Sequence, residues 1–105
     1  MMNKTVAILY TTVSSMKDAK KLAHIALSNH LAICVNIIPN GKSIYLWNGA
    51  IEEMTECYIL FKTSIEFVNK LEQVIMENHP YDIPAILKFS SESSEQFFNY
   101  ITKQV

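Results

Sequence analysis

Residues 43–63 contain two runs rich in β-branched and aromatic side chains, and Asn48-Gly49 lies between the two runs. Asn and Gly both tolerate the positive φ angles that a two-residue type I′ turn requires. The pattern therefore predicts one long β-hairpin with Asn48 and Gly49 as its loop. In this register Trp47 faces Ala50, and opposed residues point to the same side of the sheet. One side carries Ser43, Tyr45, Trp47 and Glu52, and the other carries Ile44, Leu46, Ile51 and Glu53.

The chain before the hairpin contains a strand and then a helix. A continuous apolar run predicts a central first strand over residues 4–12, covered on one face and paired at both edges. Ser15 and Asp18 have the spacing of a capping box. Apolar residues at helical spacing follow them and predict a helix over about residues 16–29.

A second strand begins at Ala32 and leads into the hairpin. Pro39-Asn40-Gly41 interrupts it, and Pro cannot donate a hydrogen bond to a neighbouring strand. We therefore expect a bulge or bend at these residues, after which the strand continues as the first arm. The return arm continues to Phe61.

The last part of the chain predicts a helix, a strand and a final helix. Thr63 and Glu66 form a second capping pattern, and the helix that follows them ends ahead of Pro80. Residues 85–89 predict a short fourth strand. Ser93 begins a third capping pattern, ahead of a helix that buries phenylalanine and isoleucine.

The order of elements is βαββαβ with an added terminal helix, which predicts an α+β fold of the ferredoxin-like kind. Residues 1–105 are expected to form a single domain with one core. Helices of about fifteen residues cover roughly 22 Å, whereas a hairpin arm of about thirteen residues spans roughly 43 Å. About half of the hairpin therefore extends beyond the helices, and its apolar tip favours cover by another copy of the chain.

Composition narrows the classes of function. Half of the residues are hydrophobic and 18% are charged, which predicts apolar surface that meets a partner. The chain has no Arg, and this argues against nucleic-acid binding and against phosphate chemistry of the acylphosphatase kind. No sequence pattern pairs a nucleophile with a base, so we expect no enzyme. No targeting pattern or membrane-length apolar run is present, so we expect a soluble cytoplasmic protein that does not bind membranes.

Four motifs in order along the chain resemble those of the CutA family, the divalent-cation tolerance proteins. They are CVNIIP at 34–39, SxYxWxG at 43–49, IEE at 51–53 with Lys62-Thr63 after it, and HPYxxP at 79–84. The resemblance covers nearly the whole chain. It implies a single CutA-like domain that forms a homotrimer, with hairpins and sheet edges joined between neighbours, as in the related PII signalling proteins. It implies no required cofactor, and copper or another divalent cation as a ligand.

The chain departs from the family at the positions of a proposed copper site. Enterobacterial members have a Cys in the first strand and a His-His pair before Pro-Tyr. Here the corresponding residues are Tyr10, Asn78 and His79. Only His79 keeps the family's ligand type, so it is the residue predicted to bind metal.

Two functional interpretations remain open. The first is a trimer linked to metal-ion tolerance and to the response to metal ions, which binds copper weakly. The second is a PII-like regulatory or scaffold trimer whose inter-subunit cleft takes a small effector or whose surface takes a protein partner. Each candidate for the cleft also has a purely structural explanation. These candidates are Tyr45, Trp47, Glu53, Lys62, His79 and Tyr81.

Overall fold

The computed structural model describes residues 4–104, and its elements follow the predicted order with the terminal helix included. The strands are β1 (Thr5–Val13), β2 (Cys34–Trp47), β3 (Ala50–Ser64) and β4 (Ile86–Glu92). The helices are α1 (Met16–Ser28), α2 (Val68–Asn78) and α3 (Glu95–Gln104).

The four strands form one antiparallel sheet in the order β2-β3-β1-β4, which confirms the ferredoxin-like α+β prediction. Alternate residues of β1 and β3 face α1 and α2, because successive side chains of a strand point to opposite faces. Leu9 and Phe61 are fully buried on this face, and Leu22 of α1 and Leu71 of α2 belong to the same core. The domain has this one core between the sheet and the two helices.

The hairpin formed by β2 and β3 has the predicted register, with Trp47 paired to Ala50. Both loop residues have positive φ, 51° at Asn48 and 81° at Gly49, as a type I′ turn requires. The hairpin extends beyond the helices, and the described chain is elongated, with extents of 48 × 28 × 22 Å. Its tip is apolar and open: Leu46 is 74% exposed and Ile51 is 75% exposed.

β2 continues through the predicted irregularity. The register shifts between Ile38 and Gly41, where Asn40 has a φ of 61°. Gly41 lies directly against the ring of Tyr58, and the hydroxyl of Tyr58 donates to the carbonyl of Lys42 at 2.9 Å. The bulge is therefore fixed by contacts with β3.

One of the three predicted helix caps is confirmed and two are wrong. Ser15 Oγ accepts a hydrogen bond from Asp18 N at 3.1 Å, as expected. Thr63 instead lies buried within β3, because the strand continues to Ser64 and α2 starts later, after Phe67, without a side-chain cap. The last helix is capped by Ser94, whose Oγ accepts from Phe97 N at 3.3 Å, rather than by Ser93.

The sheet face opposite α1 and α2, here called the open face, is only partly covered. Ile101 of α3 is buried, and α3 packs against β1 and β3. Beyond α3, three apolar residues of the open face are about half exposed: Ile38, Leu87 and Phe89. Within residues 4–104, no helix combines the length and the apolar character needed to cross a membrane.

Candidate functional site

A cavity of about 620 Å³ lies between the hairpin and the segment that follows α2. β1 contributes Tyr10 and Thr12 to its wall, and the segment after α2 contributes Tyr81 and Asp82. The hairpin contributes alternate residues of both arms, because every second side chain points to one face. These are Ser43, Tyr45, Trp47, Glu52, Met54 and Glu56.

The floor of the cavity contains a buried carboxylate. Glu56 is only 6% exposed, and its Oε2 accepts a hydrogen bond from the hydroxyl of Tyr81 at 2.7 Å. Burial, and then the hydrogen bond and charge of Glu56, raise the pKa of Tyr81 well above its ordinary value. Tyr81 is therefore a neutral donor at physiological pH and compensates the buried carboxylate.

His79 lies behind this pair, with its ring centroid 4.9 Å from that of Tyr81. Its Nε2 is 3.0 Å from both Thr11 Oγ1 and the carbonyl of Thr12. The Thr12 carbonyl can only accept, and Thr11 Oγ1 gives its own proton to the carbonyl of Ala85. The proton of the neutral ring is therefore on Nε2, and Nδ1 accepts from Tyr81 N at 3.1 Å.

Both ring nitrogens of His79 are occupied in this neutral form. Burial lowers the pKa of His79, and this effect exceeds those of the Thr12 hydrogen bond and of nearby carboxylates, which raise it. Protonation would also place a proton on Nδ1, where the Tyr81 N–H already donates. The site thus favours the neutral imidazole and uses it to hold the segment after α2 against β1.

The structure brings together only part of the predicted site. Tyr45, Trp47 and Tyr81 line the cavity, and His79 supports it from behind. Glu53 pairs with Ile44, so it belongs to the other side of the hairpin. The Nζ of Lys62 lies 5.8 Å from the ring centroid of Phe97 in α3, away from the cavity lining.

Sequence reasoning did not select Glu56, Met54 or Glu52, although the signal was available. Alternation placed Glu52 on the side of Tyr45 and Trp47, and two further steps of two residues lead to Met54 and Glu56. The burial of Glu56 has no such signal, because Tyr81 is 25 residues away in sequence.

The positions equivalent to the family's other copper ligands do not assemble a metal site. Tyr10 lines the cavity, and burial, followed by the charges of Tyr58 and Glu56, raises its pKa, so the phenol stays protonated. Asn78 turns back onto α2, where its Nδ2 donates to the carbonyl of Val74 at 2.8 Å. Among residues 4–104, no three His, Cys, Asp or Glu side chains are grouped closely enough to hold a metal ion.

Comparison with known proteins gives a consistent result. The family model described as "CutA1 divalent ion tolerance protein" matches residues 7–104. Divalent-cation tolerance protein CutA of Thermus thermophilus is 32% identical over 95 residues, with 90% of this chain and 92% of the relative covered. Its namesake in Pyrococcus horikoshii is 31% identical over 98 residues, with 92% and 95% covered. The chain spans only about half of the chloroplastic CutA proteins of Arabidopsis thaliana (48%) and rice (45%).

Solved structures agree along almost the whole chain. CutA1 of Ehrlichia chaffeensis superposes with a TM-score of 0.91 at 34% identity, covering 98% of this chain and 96% of that one. CutA of Synechococcus elongatus PCC7942 gives 0.92 at 34% identity, covering 99% and 93%. A protein of Archaeoglobus fulgidus named as a periplasmic divalent cation tolerance protein gives 0.89 at 31% identity, covering 94% and 97%.

Proposed function

This chain belongs to the CutA1 family of divalent ion tolerance proteins, and from that membership we propose that it acts in divalent-cation tolerance as a homotrimer that binds metal ions weakly. We propose that residues 1–105 form one domain and that the protein works by binding rather than by catalysis, as the names of its relatives suggest. We also propose a cytoplasmic location. Relatives are named as chloroplastic and periplasmic, so cell fractionation with a specific antibody is the test.

The observation that carries the homotrimer is the uncovered apolar surface of the single subunit. At the hairpin tip Ile44, Leu46 and Ile51 are 67%, 74% and 75% exposed. The open face adds further half-exposed apolar side chains. Burial of such surface is worth about 25 cal/mol per Å². A second and a third copy offer surfaces of the same chemistry and would remove both regions from water.

Light scattering on a sizing column tests this assembly. We expect a mass of about three times the 12.0 kDa chain mass at micromolar concentration. A stable monomer would remove the basis of the proposal, since it would leave both apolar regions in water. A dimer would contradict the threefold arrangement specifically.

Metal binding is proposed through His79, and the hydrogen bonds of this residue support weak affinity. A copper ion can bind Nδ1 only by displacing the Tyr81 N–H from it. It can bind Nε2 only by displacing the proton that Nε2 shares with Thr11 Oγ1 and the Thr12 carbonyl. Tight binding needs several donors fixed in advance. Three symmetry-related copies of one residue would supply the additional donors in a trimer. We therefore expect micromolar or weaker affinity for Cu²⁺.

Calorimetric titration of the chelator-treated protein with Cu²⁺ tests this site. We expect His79→Ala to abolish the binding and His24→Ala, an exposed position on α1, to leave it intact. Imidazole must be neutral to bind a metal ion, so Cu²⁺ binding should weaken as the pH falls. Because burial lowers the pKa of His79, we expect this weakening below about pH 6.5. Nanomolar affinity, or binding that survives His79→Ala, would contradict the assignment.

A second function, a PII-like regulatory trimer whose cleft takes a small effector, is supported by a separate observation. The cavity of about 620 Å³ is within the size range of small-molecule sites and is lined by Tyr45, Trp47 and Tyr81. The sequence motifs predict the same three aromatic residues as candidates for the cleft. Metal binding would then be incidental to effector binding.

A further inference from the structure

Four aromatic rings line the cavity between the hairpin and the segment after α2. They are those of Tyr10, Tyr45, Trp47 and Tyr81, contributed by three separate parts of the chain. The face of an aromatic ring attracts a cation within about 6 Å of its centroid, and Trp is the strongest of these rings. A cavity with several such walls suits an organic cation with methyl or methylene groups around its charge.

The charged groups of the same lining are all acidic. Glu52 lies opposite Tyr45 on the hairpin, Asp82 follows Tyr81, and Glu56 is at the floor. No Lys or His contributes to the described lining. The hydrogen bond from Tyr81 holds the buried Glu56 carboxylate in place at 2.7 Å. The field inside the cavity therefore favours positive charge and opposes anions.

The carboxylates do not form an inorganic cation site. Among the described residues, no three acidic or His and Cys side chains approach one another closely enough to share a metal ion. A compact divalent ion needs several oxygen atoms at about 2.0–2.6 Å. A larger cation with diffuse charge instead contacts rings and separate carboxylates at the same time.

From these observations we propose that the cavity binds a small organic cation of the alkylammonium class, with Glu56 as its counter-ion and Trp47 and Tyr45 as its aromatic walls. This inference rests on the second function proposed above, since it names the chemical class of the small effector. The inference is independent of copper binding at His79, which packs against Tyr81 and does not itself line the cavity.

Three probes of similar shape and different charge test the inference: tetramethylammonium, tert-butanol and pivalate. Trp47 is the only Trp of the chain and lines the cavity, so its fluorescence reports binding directly. We expect saturable binding of tetramethylammonium, with affinity at least about tenfold higher than for tert-butanol and for pivalate. The titrations use the purified full chain in its native assembly at constant ionic strength.

Two charge-removing variants and one control locate the counter-ion. Glu56→Gln keeps the shape and still accepts from Tyr81, and it should weaken tetramethylammonium binding by roughly tenfold or more. Glu52→Gln, at an exposed hairpin position, gives a second test if the first variant does not fold. Glu53→Gln removes the same charge from the neighbouring residue on the opposite side of the hairpin and should change nothing.

The outcomes separate this inference from the function on which it rests. Binding of tert-butanol or pivalate without preference for tetramethylammonium would overturn the organic-cation assignment and leave the effector cleft standing. Absence of binding by all three probes would overturn both. Equal weakening by Glu56→Gln and Glu53→Gln would also overturn the inference, because it would indicate a general effect of net charge.

Discussion

The hydroxyl of Tyr81 donates to Oε2 of Glu56 at 2.7 Å and so joins the segment after α2 to β3 where the exposed hairpin begins. An ionised carboxylate that is 6% exposed is costly without a partner. This one bond therefore stabilises the buried charge and fixes the position of the cavity wall. Its removal should affect both properties.

Tyr81→Phe removes the bond and leaves the Glu56 carboxylate buried. Because hydrogen bonds to charged groups contribute more than neutral ones, we expect the free energy of unfolding to fall by about 1.5–3 kcal/mol. Urea denaturation measures it. Tyr45→Phe is the matched control, since that hydroxyl makes a single hydrogen bond within residues 4–104, a weak one to Met54 Sδ at 3.6 Å. A loss of equal size in both variants would contradict a special role for the Tyr81 bond.

His79 makes stability depend on pH. Its folded pKa is lowered below 6.5 by burial, so between that pKa and 6.5 the unfolded chain binds more protons than the folded chain. The free energy of unfolding that this pKa difference contributes is complete above about pH 6.5. It is lost as the pH falls from about 6.5 through the folded pKa of His79. We expect His79→Gln to flatten the decline in unfolding free energy between about pH 7 and about pH 5. The exposed His24→Gln should retain the decline, and identical profiles for all three proteins would refute the role of His79.

Gly41 is required by the ring of Tyr58. A Cβ at residue 41 would overlap that ring, which is tethered to the Lys42 carbonyl at 2.9 Å. We expect Gly41→Ala to reduce the free energy of unfolding by about 1–3 kcal/mol, as overpacked sites do. In a Tyr58→Ala background the same substitution should have little effect. A double-mutant cycle measured by urea denaturation gives the coupling, and additive effects would show that the ring is not the cause.

Trp47 is predicted to anchor the homotrimer. It is 54% exposed in the single chain, and large aromatic residues dominate interface energies. We expect Trp47→Ala to dissociate on dilution at a concentration at which the wild type stays assembled, as measured by light scattering. Met76→Ala removes a side chain with the same 54% exposure from α2 and should not change assembly. Unchanged assembly and melting temperature in Trp47→Ala would exclude the anchor role.

Local pattern was sufficient for most of the fold. The Asn48-Gly49 turn determines the hairpin register from the Trp47–Ala50 pair to the Gly41–Glu56 pair, because a two-residue loop leaves one pairing. The start of α2 was misplaced because Thr63-x-x-Glu66 satisfies a local capping rule, whereas pairing of Thr63 with Ala7 extends β3 past it. Strand pairing between residues distant in sequence therefore prevails over the local capping preference. The spacing of residues in the sequence does not show which of the two effects is stronger.

The candidate site was predictable only where it depends on strand alternation. Tyr45 and Trp47 share a face by their spacing, and the structure places both at the cavity. Lys62 is an even number of residues from Glu56 along β3 and so shares its face, yet it lies near α3, some six residues further along the strand. Lys62 and Glu56 share a face but lie far apart along the extended strand. Alternation predicts only the face of a residue and gives no information about this distance.

The bulge between Ile38 and Gly41 changes the phase of β2. Before it, Val35 and Ile37 pack against the core on the helix side, and after it Tyr45 and Trp47, also odd-numbered, lie on the opposite side. Ile38 and Gly41 lie three residues apart on β2, whereas their partners Tyr58 and Glu56 lie two apart on β3, so the bulge holds one extra residue. Loss of that residue would make the pairing regular and would leave each half of the strand on its present face. A family member one residue shorter at this point would therefore keep both the core and the aromatic lining, and it would lose the local bend that the extra residue gives to the hairpin.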